Sequence, residues 1–212
     1  GGSAGGRVPV SELPLMLHGE TIEALIVGGG AVAARKAHAL LAAGAQVRVI
    51  ATEIGADVRS LAATHERLHL EERPYESTDI GSAQLVIAAT SDRAVNRRVA
   101  DDGHAAHRLV NVADDPARGN CRTTATHRAG DLVIGISAGG VPSAAARIRD
   151  SIAARFDGRY GAAVAALGTL RRRLIDAGDA DAWHRAADTL LDEGFCARVE
   201  NGTLESEVER WR

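Results

Sequence analysis

Short apolar runs alternate with stretches of helical periodicity from about residue 24 to residue 136. The runs lie at 24–27, 46–50, 68–70, 85–89, 109–112 and 132–136. Runs this short, rich in β-branched residues, are typical of strands buried on both faces of a parallel sheet. Between the first two runs, apolar residues recur at helical spacing over 31–43, and Gly44 is a candidate helix C-cap. The alternation predicts an α/β fold with a doubly wound parallel sheet.

The pattern changes after about residue 141, where we find no further run that reads as a strand. Helical segments are indicated at 142–156, 160–177, 180–194 and 203–211, with glycines between them at 158, 178 and 194. The chain therefore ends in a small all-helical part. At the other end, residues 1–11 open with Gly-Gly-Ser-Ala-Gly-Gly, which predicts a flexible leader.

Composition narrows the class of protein. Hydrophobic residues make up 45% and charged residues 25% of the 212 residues, which is ordinary for a globular protein. The net charge of −3 argues against a general nucleic-acid partner. No apolar run approaches the length that spans a bilayer, so we expect no membrane partner. The two cysteines, Cys121 and Cys196, predict reduced thiols, and we expect a cytoplasmic protein.

A glycine-rich turn directly follows the first apolar run and opens the first helix. Residues 27–33 read Val-Gly-Gly-Gly-Ala-Val-Ala, which fits the G-x-G-x-x-A pattern of Rossmann-type dinucleotide-binding domains. In that pattern Gly28 permits the tight turn, Gly30 lets the backbone approach a pyrophosphate, and Ala33 lets the helix pack closely. The helix N-terminus favours phosphates. We therefore predict a dinucleotide cofactor here, with a glycine turn that binds no ligand as the alternative.

The end of the second run bears on which dinucleotide is bound. An acidic residue that binds the ribose is expected about 20 residues after the glycines, at the end of the second strand. Glu53 lies slightly later than that position, and from its place alone it reads more readily as a charge at the start of the next helix. Arg59 lies too far along the chain to hold a 2′-phosphate. This arrangement favours NAD over NADP.

Polar residues follow the fourth and fifth runs. Ligands of doubly wound sheets bind beyond the carboxyl ends of the strands. Thr90 and Ser91 fit cofactor contacts or the cap of a helix that begins near Asp92 equally well. Asp114 and Asp115 form a carboxylate pair, and such pairs raise the pKa of one member, which suits a proton acceptor. Two turn residues before a proline are an equally good interpretation of that pair.

The sixth run leads into a glycine turn. Residues 137–140 read Ser-Ala-Gly-Gly and precede a helix that we expect to begin near Pro142, so this turn is a candidate for a second anion-binding helix N-terminus. The histidines do not have the spacing of metal ligands. His104 and His107 lie on a polar helix face and His127 is isolated, so we predict no metal site.

Several segments together resemble the precorrin-2 dehydrogenase family, which includes the N-terminal module of siroheme synthases. Residues 27–37 are similar to the family's V-G-G-G-x-V-A-x-R-K-A signature, through Arg35 and Lys36 as well as the glycines. Residues 111–116, Asn-Val-Ala-Asp-Asp-Pro, are similar to its N-V-x-D-x-P segment. Further similarity lies in 13–17, in 87–92 with Asn96, in 130–132 and in 136–140. The resemblance covers residues 12–212, more weakly past 155.

The resemblance implies an NAD-dependent oxidoreductase that converts precorrin-2 to sirohydrochlorin, on the way to siroheme or cobalamin. Hydride passes to the nicotinamide, and Asp114 stands at the position of the carboxylate that assists proton removal. The family's cofactor contacts fall on Ala31, Val32, Thr52 and Glu53. With the residues identified from the pattern, the predicted cofactor-binding set is Gly28, Gly30, Ala31, Val32, Thr52, Glu53, Thr90 and Ser91.

The resemblance also implies a homodimer built from three regions. These are a Rossmann NAD-binding domain at 12–120, a dimerisation region at 121–155 and a helical domain at 156–212. Precorrin-2 carries many carboxylates, and arginine binds carboxylates bidentately. The candidate arginines are Arg118, Arg122, Arg128, Arg147 and Arg149. The predicted substrate-binding set is Ser137, Gly139, Gly140, Arg118 and Arg147.

Two segments depart from the family pattern. The family has C-x-F-x-x-P-A before its last strand, whereas residues 121–128 read Cys-Arg-Thr-Thr-Ala-Thr-His-Arg and are shorter. Ala138 stands where some members carry a serine. Three alternatives to a monofunctional dehydrogenase therefore stay open. They are a bifunctional dehydrogenase and sirohydrochlorin ferrochelatase, a divergent paralogue with another tetrapyrrole or no activity, and an NAD-sensing module.

Overall fold

The computed structural model describes residues 12–211, so the leader predicted at 1–11 lies outside the described residues. The described chain divides into two compact units, and the boundary between them falls between Thr123 and Thr124. No described helix is both long enough and apolar enough to cross a membrane.

Five parallel strands form the sheet of the first unit, in the order β3-β2-β1-β4-β5. Their bounds are β1 Glu23–Val27, β2 Gln46–Ala51, β3 Leu68–Glu72, β4 Leu85–Ala88 and β5 Leu109–Val112. The helices are α1 Ala31–Leu41, α2 Ala56–Thr64 and α3 Arg93–Ala105, with 3-10 turns at Gly19–Thr21, Ser77–Ile80 and Pro116–Arg118. The strand order reverses between β1 and β4. Ligands of doubly wound sheets bind beyond the carboxyl ends of the strands at such a point.

Apolar side chains cover both faces of this sheet. On one face Ile26 packs in a cluster with Ala33 of α1, and on the other Val86 packs in a cluster with Val99 of α3. All of these side chains are fully buried. Helix α3 lies so close to the sheet that a Cβ added at Gly103 would be 2.7 Å from a methyl group of Val110. Because both faces are covered, the central strands β1 and β4 read as continuous apolar runs.

The chain folds back along the outer edge of β5 after the Pro116–Arg118 turn. The backbone N–H groups of Asn120 and Cys121 donate to the Val110 carbonyl at 3.0 and 3.2 Å. The side-chain Oδ1 of Asn120 accepts from the Val110 N–H at 2.7 Å, and its Nδ2 donates to the Arg108 carbonyl at 2.9 Å. Asn120 and Cys121 therefore satisfy backbone groups that an edge strand otherwise leaves exposed.

The second unit combines a β-hairpin with helices. Strands β6 Ala125–Ala129 and β7 Leu132–Ile136 pair antiparallel. The helices are α4 Pro142–Arg155, α5 Gly158–Asp176, α6 Ala180–Leu190, α7 Phe195–Asn201 and α8 Leu204–Glu209. Tyr160, Leu167 and Leu170 of α5 pack in one core cluster with residues of α6, α7 and α8. The predicted division into a dimerisation region at 121–155 and a helical domain at 156–212 stays a prediction.

The α/β class with a doubly wound parallel sheet is confirmed, and the sheet contains five of the predicted strands. The prediction for the sixth apolar run was wrong in part. Residues 132–136 form a strand, but this strand pairs with β6 and not with the parallel sheet. The sequence pattern did not indicate β6, since only Ala129 among its residues is buried. In the helical part, the segment predicted over 180–194 ends at Leu190, and α7 follows as a separate helix.

Candidate active site

The glycine-rich turn packs tightly against the two neighbouring strand ends. Gly28 has a φ of +129°, and a Cβ added there would overlap the carbonyl of Ala89 beyond β4. A Cβ on Gly29 would overlap the carbonyl of Glu53 beyond β2. At Gly30, in contrast, an added Cβ would meet no described atom within 4 Å. Packing therefore requires the first two glycines, whereas the third leaves open space at the start of α1.

The start of α1 can receive an anion in that space. Gly30 is the N-cap residue, and no side chain caps the helix. The N–H groups of the first turn, which includes Ala31 and Val32, have no acceptor within the helix. Free N–H groups and the positive end of the helix dipole favour a phosphate. The residues of this turn therefore fit the pyrophosphate of a dinucleotide.

The loop after β2 places a carboxylate beside this turn. Thr52 and Glu53 follow the strand directly, and both are exposed. Helix α2 begins only at Ala56, and the acidic residue of its first turn is Asp57. The interpretation of Glu53 as a helix N-terminal charge was therefore wrong, because the strand-to-helix loop is longer than that interpretation requires. The Glu53 carboxylate has no partner among the residues that the structure describes.

An ion pair braces the same loop. Arg59 Nη2 lies 2.7 Å from Glu72 Oε2, and Glu72 Oε1 accepts from the Ile54 N–H at 3.1 Å. The Gly55 N–H donates to the Gly29 carbonyl at 2.9 Å, which joins the braced loop to the glycine turn. Hydrogen bonds from Arg59 and from the Ile54 N–H hold the pKa of Glu72 below its ordinary value. Arg59 is thus already engaged by a carboxylate.

Beyond β4, the cap of α3 is Asp92 rather than Thr90 or Ser91. Asp92 Oδ1 accepts from two backbone N–H groups of the first turn of α3, at 2.7 and 3.3 Å, so Asp92 is the cap. Thr90 Oγ1 lies 2.9 Å from the Asp92 carbonyl oxygen and 2.7 Å from Asn96 Oδ1. The Thr90 hydroxyl is therefore engaged within the chain, while Ser91 is exposed. Cofactor contacts at Thr90 and Ser91 stay predictions.

Asn96 connects the end of β4 to the end of β5. Its side chain is 2% exposed, and its Nδ2 donates to Asp114 Oδ1 at 2.9 Å and to the Thr90 carbonyl at 3.0 Å. Its Oδ1 accepts from the Thr90 N–H at 3.1 Å. In the sequence, Asn96 stood out only through similarity to the family. The signal that could have indicated its role is its position one turn after the Asp92 cap, on a helix that starts at a strand end.

A cavity of about 220 Å³ opens beside Asp114. Its lining includes Arg93, Arg97 and Arg118 together with Asp114 and Asp115. Arg93 Nε lies 3.7 Å from Asp114 Oδ2, and Arg118 Nε lies 3.5 Å from Asp115 Oδ2. The members of the carboxylate pair therefore have different partners. Sequence reasoning missed Arg93 and Arg97, whose four-residue spacing places them on one face of α3.

The other predicted substrate-binding residues lie in the second unit. Ser137, Gly139 and Gly140 form the turn between β7 and α4, and Arg147 is exposed on α4. Helix α4 begins at Pro142, as expected. The strand before this turn, β7, belongs to the hairpin and not to the parallel sheet. Substrate contacts at these residues stay predictions.

A lysine and a cysteine lie together near the end of the first unit. Lys36 of α1 donates a hydrogen bond to Thr123 Oγ1. Burial and the nearby Arg35 lower the pKa of Lys36, and burial raises the pKa of the Cys121 thiol. Both Cys121 and Cys196 are free thiols. Among residues 12–211 we find no group of three or more histidine, cysteine or acidic side chains that could hold a metal ion.

Comparison with known proteins shows a family for the part of the chain that holds this site. The NAD_binding_7 family model, described as "Putative NAD(P)-binding", matches residues 15–125. The siroheme synthase of Chromobacterium violaceum is 36% identical over 192 residues, covering 89% of this chain and 40% of that protein. The siroheme synthase of Saccharophagus degradans is 33% identical over 195 residues, covering 91% of this chain and 42% of that protein.

Among solved structures, that of "SirC, precorrin-2 dehydrogenase" superposes with a TM-score of 0.76 at 23% identity, covering 94% of this chain and 98% of that chain. This likeness shows a shared fold. The chain spans about two fifths of the length of the two siroheme synthases. The family match includes the parallel sheet, the glycine-rich turn and Asp114. The chain therefore belongs to the precorrin-2 dehydrogenase and siroheme synthase family and carries its NAD(P)-binding domain.

Proposed function

We propose that this chain is an NAD-dependent oxidoreductase that oxidises precorrin-2 to sirohydrochlorin. The observation that carries the proposal is the 2.9 Å hydrogen bond from Asn96 to Asp114, which fixes a carboxylate at the carboxyl edge of the sheet that bears the glycine-rich turn. Oxidation of a substrate by a nicotinamide cofactor needs a hydride acceptor and a proton acceptor at one site. The names of the relatives, siroheme synthase and precorrin-2 dehydrogenase, supply the substrate and the pathway.

The chemistry divides between the cofactor and one side chain. Oxidation of precorrin-2 to sirohydrochlorin removes one hydrogen as hydride and a second as a proton. NAD, when bound, supplies the hydride acceptor. Asp114 accepts the proton through Oδ2, because its Oδ1 already accepts a hydrogen bond from Asn96. A carboxylate positioned in this way acts as a general base.

The choice of NAD over NADP rests on charge beside the glycine turn. Glu53 is exposed at the end of β2, where an acidic residue binds the ribose hydroxyls of NAD and repels a 2′-phosphate. Arg59, a nearby cation, is engaged by Glu72 at 2.7 Å. We therefore expect NADP to be a poor cofactor in the same assay.

The cavity beside Asp114 suits a polycarboxylate substrate. Its lining carries the guanidinium groups of Arg93, Arg97 and Arg118 against two carboxylates, which leaves an excess of positive charge. Guanidinium groups bind carboxylates bidentately. Arg118 was predicted from the sequence to bind the substrate, and Arg93 and Arg97 line the same cavity and can bind substrate carboxylates in the same way.

The test is an anaerobic assay of the purified chain with precorrin-2 and NAD, in which sirohydrochlorin absorbance and NADH are followed together. Equal amounts of both products are expected, with little turnover when NADP replaces NAD. No turnover in a protein that still binds NAD would contradict the proposal and favour a divergent paralogue or an NAD-sensing module.

The role of Asp114 is tested by Asp114→Ala in the same assay. Loss of a general base is expected to lower kcat by about 100- to 10,000-fold, while the protein stays folded and keeps its NAD binding. The matched control is Asp115→Ala, which removes the adjacent carboxylate and is expected to keep most of the activity. Full activity in the Asp114 variant would remove this residue from the mechanism.

A further inference from the structure

We infer that Asn96 is a positioning residue that sets the orientation of the Asp114 carboxylate relative to the cofactor turn. Asn96 borders the cavity beside Asp114, but its amide atoms already bond the Thr90 backbone and Asp114. Its side chain is 2% exposed and lies between two strand ends. The role in turnover rests on the proposed function, whereas the hydrogen bond between the two side chains can be tested without any turnover.

The orientation of the Asn96 amide is determined by the backbone of Thr90. The Thr90 N–H can only donate, and it donates to Asn96 Oδ1 at 3.1 Å. The Thr90 carbonyl can only accept, and it accepts from Asn96 Nδ2 at 3.0 Å. A flipped amide would lose both bonds, since oxygen would face oxygen and nitrogen would face nitrogen. The second N–H of Nδ2 is therefore the group that faces Asp114.

This donor fixes which oxygen of Asp114 is available. Asn96 Nδ2 lies 2.9 Å from Asp114 Oδ1, so Oδ1 serves as a hydrogen-bond acceptor. Oδ2 lies 3.7 Å from Arg93 Nε and is the oxygen that remains for a proton from the substrate. A buried amide that bonds one oxygen restrains rotation of the carboxylate about its Cβ–Cγ bond.

The same amide ties Asp114 to the cofactor side of the sheet. Thr90 follows Ala89 directly, and the carbonyl of Ala89 is the group that a Cβ on Gly28 would overlap. The Ala89 N–H donates to the Val27 carbonyl at 2.8 Å. The path from the glycine turn to the carboxylate therefore consists of one tightly packed strand end and one buried side chain. This path fixes the position of Asp114, the proton acceptor, relative to the turn that we propose binds the hydride acceptor, NAD.

The first test observes the hydrogen bond directly. In ¹⁵N-labelled protein, the two Nδ2–H resonances of Asn96 are followed in the wild type, in Asp114→Ala and in Asp115→Ala. We expect Asp114→Ala to shift one of the two resonances far more than the other, since only one N–H faces Asp114. Asp115→Ala should leave both in place. The inference would be overturned if neither chemical shift changed in Asp114→Ala, or if both variants changed the shifts equally.

The second test separates positioning from simple bracing of α3. Asn96→Asp keeps an acceptor for the Thr90 N–H, but it replaces the fixed N–H donor to Asp114 with a second carboxyl group that repels Asp114 or shares one proton with it. We expect kcat to fall about 100-fold, as for a misplaced catalytic group, with the dissociation constant of NAD and the KM of precorrin-2 nearly unchanged. The solvent deuterium isotope effect on kcat should rise, because proton transfer becomes slower. The matched control is Arg98→Gln, an exposed neighbour on α3 that contacts Ser77 and Asp102.

The two tests distinguish a failure of the proposed function from a failure of the positioning role of Asn96. A wild-type protein without turnover contradicts the proposed function, while the amide resonances still decide whether Asn96 binds Asp114. A wild-type enzyme with full activity in Asn96→Asp leaves the proposed function intact and overturns the positioning role. A melting curve of Asn96→Asp that matches the wild type is required for the comparison of kcat, and the resonance test does not depend on that variant.

Discussion

Two glycine turns, one in each unit, lead from a strand into a helix, and they differ in what surrounds them. In the turn after β1, Gly28 and Gly29 lie against the backbone of Ala89 and Glu53, so neither can carry a Cβ. In the turn after β7, an added Cβ on Gly139 would meet no described atom within 4 Å. Both turns contain glycines with positive φ.

The difference follows from the sheets that the two turns belong to. The first turn leaves a strand at the centre of a parallel sheet, so strand ends crowd it on both sides. The second leaves one strand of a two-stranded hairpin. Similar local sequences therefore produce a tightly packed, preorganised turn in one case and an open turn in the other. Only the first has the geometry of a dinucleotide-binding turn.

The largest effect is expected from Gly28→Ala. The substitution forces a φ near +129° on a residue with a Cβ and drives that Cβ into the Ala89 carbonyl. We expect a loss of about 3 kcal/mol or more in the free energy of unfolding, from backbone strain and overpacking together. NAD affinity should fall by about tenfold or more, since the turn must move. Urea unfolding and calorimetric titration with NAD measure the two effects. Unchanged values in both would mean that the first turn is as open as the second.

A smaller effect is expected from Glu72→Gln, which weakens the brace behind the first turn. Arg59 and the Ile54 N–H lower the pKa of Glu72 from its ordinary value of 4.5. Because the folded-state pKa is the lower one, this stabilisation is present above pH 4.5 and is lost as the pH falls through the depressed pKa. The difference in urea stability between wild type and Glu72→Gln should therefore be larger at about pH 6 than at about pH 3.

The control for this prediction is Glu66→Gln, an exposed glutamate in the turn between α2 and β3. It removes one carboxylate without touching the brace, so its urea stability at neutral pH should be close to that of the wild type. We also expect a loss of NAD affinity of a few fold in Glu72→Gln at neutral pH, since Gly55 joins the braced loop to Gly29. Identical pH profiles for the two variants would contradict a bracing role.

The smallest effect is expected from Gly139→Ala in the open turn. Its φ of +56° is unfavourable for alanine by about 1 kcal/mol, and no clash adds to that cost. NAD titration should give the wild-type affinity, while KM for precorrin-2 reports any role of this turn in substrate binding. Loss of NAD affinity in Gly139→Ala would contradict the difference between the two turns.

The parallel sheet could be predicted from the sequence because its central strands, β1 and β4, are buried on both faces and read as apolar runs. The run at 132–136 has the same local character, yet its partner at 125–129 carries a polar centre, Thr-His-Arg, that indicates no strand. Pairing is a property of two distant segments, so the pattern of one strand does not determine the sheet that it joins. For the same reason, the turn at 137–140 resembled the end of a parallel strand.

The candidate site shows the same division between local and distant information. The glycine turn and Asp114 could be identified because their chemistry lies in consecutive residues. Asn96 could not be assigned a role, because its contact with Asp114 joins residues that are 18 positions apart. Arg97 is likewise an ordinary surface arginine until the fold places it beside the same cavity.

The segment that folds back along β5 has a consequence for how molecules of this protein meet. An exposed edge strand is a template on which another chain can pair, and such pairing leads to aggregation. Asn120 and Cys121 occupy both the N–H and the carbonyl of Val110, so a foreign strand finds no free backbone group at that residue. At Val110, the β-sheet therefore cannot continue from one molecule into the next unless the segment that holds Asn120 and Cys121 first leaves the edge of β5.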